Sequence, residues 1–190
     1  MIFNDISICS DVSVEIDEYL QRLFPLCRSI TGNPNRQTLK ILQELIPLTV
    51  NEIPSGTCVY DWTIPDEWNI QGAWIKDNLG HIFVDFKTNN LQVMSYSTPV
   101  QGTYTWEELL PHLHLHPTLL EAIPYRTSYY QRDWGFCVTH EQYDALMQHG
   151  GPFEIVIDSV FEQGSLTFGE LLLPGISEHE ILLSCYICHP

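Results

Sequence analysis

The chain has 190 residues, enough for one substantial core or for a core with a small second lobe. Its formal net charge is -16, from 8 Lys and Arg against 24 Asp and Glu. This charge argues against nucleic acid and membrane surfaces as partners, because both require a basic surface on the protein. No apolar run is as long as a membrane span, and the first basic residue is Arg22, so we expect no signal peptide and a cytoplasmic location.

The first sixty residues predict two helices followed by a strand. Apolar residues recur at helical spacing after Ser10; they are Ile16, Tyr19, Leu20, Leu23, Phe24 and Cys27. A second helix is predicted to begin at Pro34, which suits a first helical turn, and to end at Pro47. Its expected buried face consists of Leu39, Leu42, Leu45 and Ile46. Residues 48–53 are predicted to form a strand.

The middle of the chain is rich in short aromatic and β-branched runs, which predict a β-rich module. The runs are residues 57–64, 73–76, 81–86 and 91–97. Asp77 to Gly80 is expected to be a hairpin loop between two of these strands. Thr105 and Thr139 each begin a capping-box sequence and predict two short helices, the second ending at Gly150.

Three further strands are predicted near the C-terminus, at residues 153–157, 166–173 and 181–188. The last of them is almost continuously apolar, as expected for a strand covered on both faces. It would deliver His189 at its carboxyl end, where open α/β sheets bind their ligands. A neutral imidazole in that position is suited to a metal ion, so His189 is a candidate metal ligand.

Two other histidine or cysteine patterns are weaker candidates for a metal or haem site. Cys185, Cys188 and His189 match the C-x-x-C-H pattern of c-type haem attachment, but that chemistry belongs to exported chains. A redox dithiol is also disfavoured, because such pairs lie at a helix N-terminus and not in a strand. His112, His114 and His116 alternate and could chelate a metal if extended, but they follow a capped helix and precede a proline. The six cysteines are scattered, so no disulfide framework is predicted.

A loop before the second helix is the candidate substrate-binding element. Arg28, Ser29 and Thr31 lie there, and an arginine with backbone amides could bind a substrate anion. The alternative is that the loop only caps the helix. Aromatic residues of the β-rich module could stack on a sugar, although core packing on the strands is the favoured explanation; they are Trp62, Trp68, Trp74, Tyr129, Tyr130 and Trp134.

Several long stretches resemble a known family. Residues 164–175, which end in Pro-Gly, and residues 181–190, which end in Cys-His-Pro, resemble the paired strands of the co-catalytic zinc aminopeptidases. Within that superfamily the chain most closely resembles the bacterial polysaccharide biosynthesis proteins with an aminopeptidase-like domain. The other matching stretches are residues 23–32, 59–69 and 123–137, so the resemblance covers nearly the whole chain.

The resemblance implies an α/β fold with a doubly wound zinc-exopeptidase-like core, incomplete here, and an inserted β-rich module. Residues 1–60 would begin the core, residues 61–135 would form the module, and residues 136–190 would return to the core. His189 would be a zinc ligand in a two-zinc site, whose catalytic residues and other ligands are expected beyond Pro190. We therefore expect the 190-residue chain to be inactive on its own.

The implied function is hydrolysis of an amide or peptide bond next to a free amino group, in a small peptide or aminoacyl substrate. Two alternatives stay open. One is an amidase or deacylase that acts on amino-sugar intermediates of surface polysaccharide synthesis. The other is a non-catalytic binding module that keeps the fold. An incomplete core would also leave a strand edge open, so a homo-oligomer is expected to form.

Overall fold

The structure is a computed structural model that describes residues 6–188, with side chains described for residues 12–188. The helices are α1 (Ile6–Leu23), α2 (Asn33–Leu42), α3 (Trp106–Leu109) and α4 (His140–His149). Both predicted capping boxes are confirmed, since the Thr105 and Thr139 hydroxyls accept hydrogen bonds from the backbone three residues later. Gly150 ends α4 in the left-handed conformation, with φ 74°.

Ten strands are described. They are β1 (Thr49–Pro54), β2 (Cys58–Val59), β3 (Trp62–Thr63), β4 (Glu67–Asp77), β5 (Ile82–Asp85), β6 (Val100–Tyr104), β7 (Leu113–His114), β8 (Phe136–Cys137), β9 (Phe153–Glu162) and β10 (Ser165–Glu170). The largest sheet has the antiparallel order β5-β4-β9-β6. The Asp77 to Gly80 turn joins β4 to β5 as predicted, and Asp77 Oδ1 accepts from the amides of Leu79 and His81, each at 2.8 Å.

The hydrophobic core lies against this four-stranded sheet. Strands β4 and β9 supply much of it, because alternate residues of a strand point to the same face. Helix α4 covers the core with Leu146, which is completely buried. The fully buried side chains include Ile75, Leu109, Phe136, Val138, Phe153 and Ile155.

A second antiparallel pair, β1 with β10, joins two strands that are more than one hundred residues apart in the sequence. Thr49 pairs with Glu170, and Pro54 pairs with Ser165. Helix α2 packs on β10 through the buried Leu39, whose side chain lies close to Gly169. This pair places the loop before α2 beside the start of β4.

Three sequence predictions were wrong in detail. Residues 91–97 form no strand, because a 3₁₀ turn at Asn90–Gln92 is followed by irregular chain with isolated bridges only. Helix α2 ends at Leu42, so Leu45 and Ile46 lie beyond it and are exposed. The run 57–64 is a two-stranded hairpin, β2 with β3, and not one strand.

The predicted buried strand at residues 181–188 is also absent. Residues 171–187, which we call the C-terminal segment, are irregular and mostly exposed, and Leu182 is 89% exposed. A strand covered on both faces needs neighbouring strands for its backbone hydrogen bonds. None of the described residues pairs with this segment, so its apolar character does not result in a strand.

The described part of the chain is therefore a mixed α/β structure with small sheets, in which β7 with β8 is the only parallel pair of strands. The doubly wound core stays a prediction. So does the division at residues 60 and 135, although β9, which follows residue 135, pairs with β4 and β6 in the sheet of the β-rich module.

Candidate functional site

The loop between α1 and α2 is anchored in the interior by its own side chains. Arg28 is 9% exposed and donates through a guanidinium nitrogen to the Leu23 carbonyl at 2.5 Å. The Ser29 hydroxyl is hydrogen-bonded to the Ser95 hydroxyl at 2.7 Å. The three residues that the sequence singled out, Arg28, Ser29 and Thr31, are all buried.

Thr31 connects this loop to a tyrosine that the sequence did not identify. Its hydroxyl is hydrogen-bonded to the Tyr96 hydroxyl and also lies 3.1 Å from the Asp66 carbonyl oxygen. Tyr96 also donates to the Asp66 carbonyl, at 2.8 Å. Burial raises the pKa of Tyr96 to about 12. The Ser29 and Thr31 hydroxyls are thus engaged inside the protein, which supports a positioning role, and direct contact with substrate stays a prediction.

Gly32 allows the loop to pass close to strand β4. Its φ of +114° is unfavourable for other residues, and a Cβ there would lie 2.4 Å from the Trp68 carbonyl oxygen. The next residue, Asn33, donates its backbone N–H to the Asn69 side chain at 2.9 Å. The sequence Thr-Gly-Asn is therefore fitted to this contact.

The end of the described chain lies beside the same loop. Burial lowers the pKa of Arg28, and the nearby thiols of Cys27 and Cys188 oppose this effect. Burial also raises the pKa of Tyr125 far above its usual value, with Tyr129 and Cys188 acting in the same direction. Cys188 therefore lies in the same region of the structure as Arg28 and Tyr125.

An aromatic pocket lies on the other side of Tyr96. It has a volume of about 140 Å³ and is open to solvent on one side. The hydroxyl of Tyr129, which lines this pocket, lies 2.8 Å from the hydroxyl of Tyr125. The pocket lining consists of Pro65, Asp66, Tyr96, Ser128, Tyr129, Tyr130, Gln131, Arg132 and Phe161.

The predicted site residues are only partly brought together by the structure. Arg28, Ser29 and Thr31 form one loop, whereas His189 lies outside the described residues. Sequence reasoning missed Asp66, Tyr96 and Arg132, which come from three separate segments. The cluster of aromatic residues near Tyr129 was the one signal of this pocket in the sequence.

The three alternating histidines do not converge on a common point. The His112 ring stacks on Trp134 with ring centroids 3.6 Å apart, and its Nδ1 lies 2.8 Å from the Trp134 carbonyl oxygen. His114 is half-buried, and burial lowers its pKa. His116 accepts a hydrogen bond from the Leu119 amide at 3.0 Å. The three rings therefore have separate surroundings.

Zinc does not fit the described residues by themselves. No group of three or more His, Cys, Asp or Glu side chains able to hold a metal occurs among them. The thiols of Cys185 and Cys188 are free, the first of them exposed. A zinc ion normally requires three or four protein ligands.

None of the helices in the described part of the chain has the length and apolar character needed to cross a membrane.

Comparison with known proteins gives three matches. Residues 67–160 match the family model described as "Domain of unknown function (DUF2172)". The chain is 50% identical over 181 residues to a Clostridium acetobutylicum protein named "Putative polysaccharide biosynthesis protein with aminopeptidase-like domain", covering 95% of this chain and 41% of that protein. A crystal structure described as a "putative peptidase" from Clostridium acetobutylicum superposes with a TM-score of 0.90 at 50% identity, covering 95% of this chain and 42% of that one.

The protein and the crystal structure from Clostridium acetobutylicum are both much longer than this chain. The chain spans about two fifths of the length of these relatives, so properties of the whole proteins do not transfer to it directly. The resemblance inferred from the sequence is confirmed.

Proposed function

Because this chain is homologous to polysaccharide biosynthesis proteins with an aminopeptidase-like domain, we propose that it is the N-terminal part of a zinc-dependent hydrolase of this kind. The intact enzyme would cleave an amide or peptide bond next to a free amino group, in a small peptide or aminoacyl substrate. His189 would supply one zinc ligand. The loop of Arg28, Ser29 and Thr31 would form the adjoining substrate-binding wall.

The observation that carries this proposal is the 50% identity over 181 residues to the Clostridium protein named for its aminopeptidase-like domain. Cys188 also influences the pKa values of Arg28 and Tyr125, which puts the end of the described chain in the region of this loop. Cys188 directly precedes His189 in the sequence. A buried guanidinium near the proposed metal ligand would be suited to hold an anionic or carbonyl group of a substrate. The hydroxyls of Ser29 and Thr31 hold this loop in place by hydrogen bonds to the hydroxyls of Ser95 and Tyr96.

We expect the chain of 190 residues to have no turnover by itself. The described residues contain no cluster that could hold a metal, and a single additional imidazole cannot bind zinc tightly. The remaining ligands would come from the part of the longer relatives that this chain does not cover.

The experiment uses a hybrid in which residues 1–190 are followed by the uncovered part of the Clostridium relative. We expect the hybrid to bind zinc and to hydrolyse aminoacyl anilides, and the 190-residue chain to do neither. His189→Ala should lower the zinc content and abolish hydrolysis. His179→Ala, an exposed histidine in the same segment, is the matched control and should change neither.

Equal zinc content in the wild-type hybrid and in His189→Ala would overturn the assignment of this ligand. A hybrid without zinc would instead favour a non-catalytic binding module.

The name of the Clostridium relative includes polysaccharide biosynthesis, which supports acylated amino sugars as a second substrate class. An amidase or deacylase would remove an acyl group from an amino sugar by the same kind of bond cleavage. Screening the hybrid with acylated amino sugars beside aminoacyl anilides separates the two reactions. Preference for the sugars would replace the peptidase assignment.

A further inference from the structure

The aromatic pocket has one tyrosine ring, that of Tyr130, that is not used for packing the core. Tyr130 is 77% exposed, and its ring stands at 85° to that of Tyr129 with centroids 6.4 Å apart. By contrast, Trp68 is buried against Tyr96, and the Trp134 ring is covered by His112. Among the aromatic residues that the sequence singled out for sugar stacking, Tyr129 and Tyr130 are the two that line this pocket.

Opposite charges at the pocket are paired with each other. An Arg132 guanidinium nitrogen lies 3.7 Å from Asp66 Oδ2, and the guanidinium carbon lies 3.9 Å from the centre of the Phe161 ring. Asp66 Oδ1 accepts a hydrogen bond from the Gln163 amide at 2.5 Å. The pocket therefore offers several hydrogen-bonding groups but no net charge, within a chain that is strongly acidic overall.

The floor of the pocket is held rigidly. Tyr96 has φ 67°, a left-handed conformation that is uncommon for a residue other than glycine. The Tyr96 hydroxyl is hydrogen-bonded to the Asp66 carbonyl and to the Thr31 hydroxyl. The Tyr96 backbone carbonyl accepts a hydrogen bond from the Ser128 hydroxyl at 3.0 Å. Such a strained residue persists only where its surroundings determine it, and strain of this kind is concentrated at functional sites.

These features favour one class of ligand. A pyranose ring has an apolar C–H face, which stacks on an aromatic ring, and a rim of neutral hydroxyls, which bind carboxylates, guanidinium groups and amides. An amino acid would require an unpaired charge for its ammonium or carboxylate group, and a phosphate would require an unpaired cation. Asp66 and Arg132 neutralise each other, so neither of these ligands is well matched.

We propose that this pocket binds a sugar ring, with one face against Tyr130 and the hydroxyl rim against Asp66 and Arg132. The site needs neither His189 nor a metal. It would therefore be present in this chain even if the proposed hydrolase activity were wrong.

The test is binding of single probes to the 190-residue chain, measured by saturation-transfer NMR. The probes are glucose, galactose and N-acetylglucosamine, with glycylglycine and inorganic phosphate as competitors of different chemistry. We expect at least one sugar to bind with a dissociation constant in the millimolar range, as is usual for so small a contact area. Neither competitor should displace it.

Two variants locate the binding site. Tyr130→Ala should weaken sugar binding about tenfold by removing the stacking face, and Arg132→Met should weaken it while keeping the apolar stem. Tyr60→Ala is the matched control, since Tyr60 is fully exposed and does not line the pocket. Circular dichroism checks that each variant is folded. The proposal is overturned if no sugar binds to the folded chain, if Tyr130→Ala binds as tightly as wild type, or if glycylglycine or phosphate displaces the sugar.

Discussion

The Arg36 guanidinium donates two hydrogen bonds to the Glu67 carboxylate, one of them 2.9 Å long. Arg36 belongs to α2 and Glu67 to the first position of β4, so this ion pair joins the helix to the main sheet. Arg36 also donates to Glu52 in β1, and the Ser165 amide donates to Glu67 at 2.7 Å. Arg36 thus connects helix α2 to strands β1 and β4.

Acid should weaken this junction. Hydrogen bonds from Arg36 lower the pKa of Glu67 below its ordinary value of 4.5, against the opposing effect of burial. A lowered carboxyl pKa stabilises the folded state above the unfolded-state pKa, and this contribution is lost as the pH falls through the folded-state pKa. We expect Glu67→Gln to reduce the free energy of unfolding by about 2 kcal/mol at pH 7. The loss should shrink towards zero below pH 4.5.

Urea unfolding of both proteins at a series of pH values measures this difference. Glu44→Gln is the control, because Glu44 pairs with Arg22 where both side chains are about half exposed. Exposed ion pairs contribute little, so this variant should unfold almost like wild type at every pH. A Glu67→Gln loss that did not change with pH would contradict the explanation.

The close approach of Gly32 to β4 predicts a severe substitution. Gly32→Ala would bring a Cβ to 2.4 Å from the Trp68 carbonyl oxygen, at a φ that other residues avoid. We expect a loss of about 3 kcal/mol in the free energy of unfolding, from strain and overpacking together. Thermal unfolding measures it.

Gly56→Ala is the matched control for this effect. Gly56 also has a positive φ, +83°, but a Cβ there would meet nothing within 4 Å. Only the backbone cost of about 1 kcal/mol should remain. Equal losses in the two variants would show that the contact with Trp68 contributes nothing.

The Thr31 hydroxyl, the Tyr96 hydroxyl and the Asp66 carbonyl form one hydrogen-bonded group, so the contributions of the two hydroxyls should not be additive. We expect Thr31→Val and Tyr96→Phe each to lower the free energy of unfolding by about 1 kcal/mol, with a coupling energy of similar size in the double variant. Chemical denaturation of the four proteins gives the coupling. Thr31→Val combined with Thr105→Ala, at the opposite end of β9, should be additive.

Local signals in the sequence were sufficient for several elements of the fold. The Thr105 and Thr139 caps and the turn at Asp77 depend on residues within four positions of each other, so their chemistry is readable without the rest of the structure. The pairing of Thr49 with Glu170 joins residues far apart in the chain, and no local pattern specifies it.

The candidate site was predictable to the same limited extent. Arg28, Ser29 and Thr31 were identified because they precede a helix, which is a local feature. Asp66, Tyr96 and Arg132 come together only through tertiary contacts, and the positive φ of Tyr96 has no signature in its own residue type.

The apolar run at 181–188 had the composition of a buried strand, but composition predicts a need for burial and not the presence of a partner. Without strands beside it, the segment lies exposed.

The exposed C-terminal segment should make the chain self-associate. Leu172, Ile176, Leu182 and Leu183 are almost fully exposed there, and exposed apolar side chains favour association in water. We expect the average sedimentation coefficient to rise with protein concentration, in reducing buffer because Cys185 is an exposed free thiol.

Leu182→Asp should suppress this rise, since it places a charge in the apolar surface. Ser177→Asp adds the same charge at an exposed polar position of the segment and should suppress it much less. The comparison separates loss of apolar contact from the general repulsion of a more acidic chain. A wild-type chain that stays monomeric over the whole concentration range would mean that the segment covers its own apolar side chains in solution.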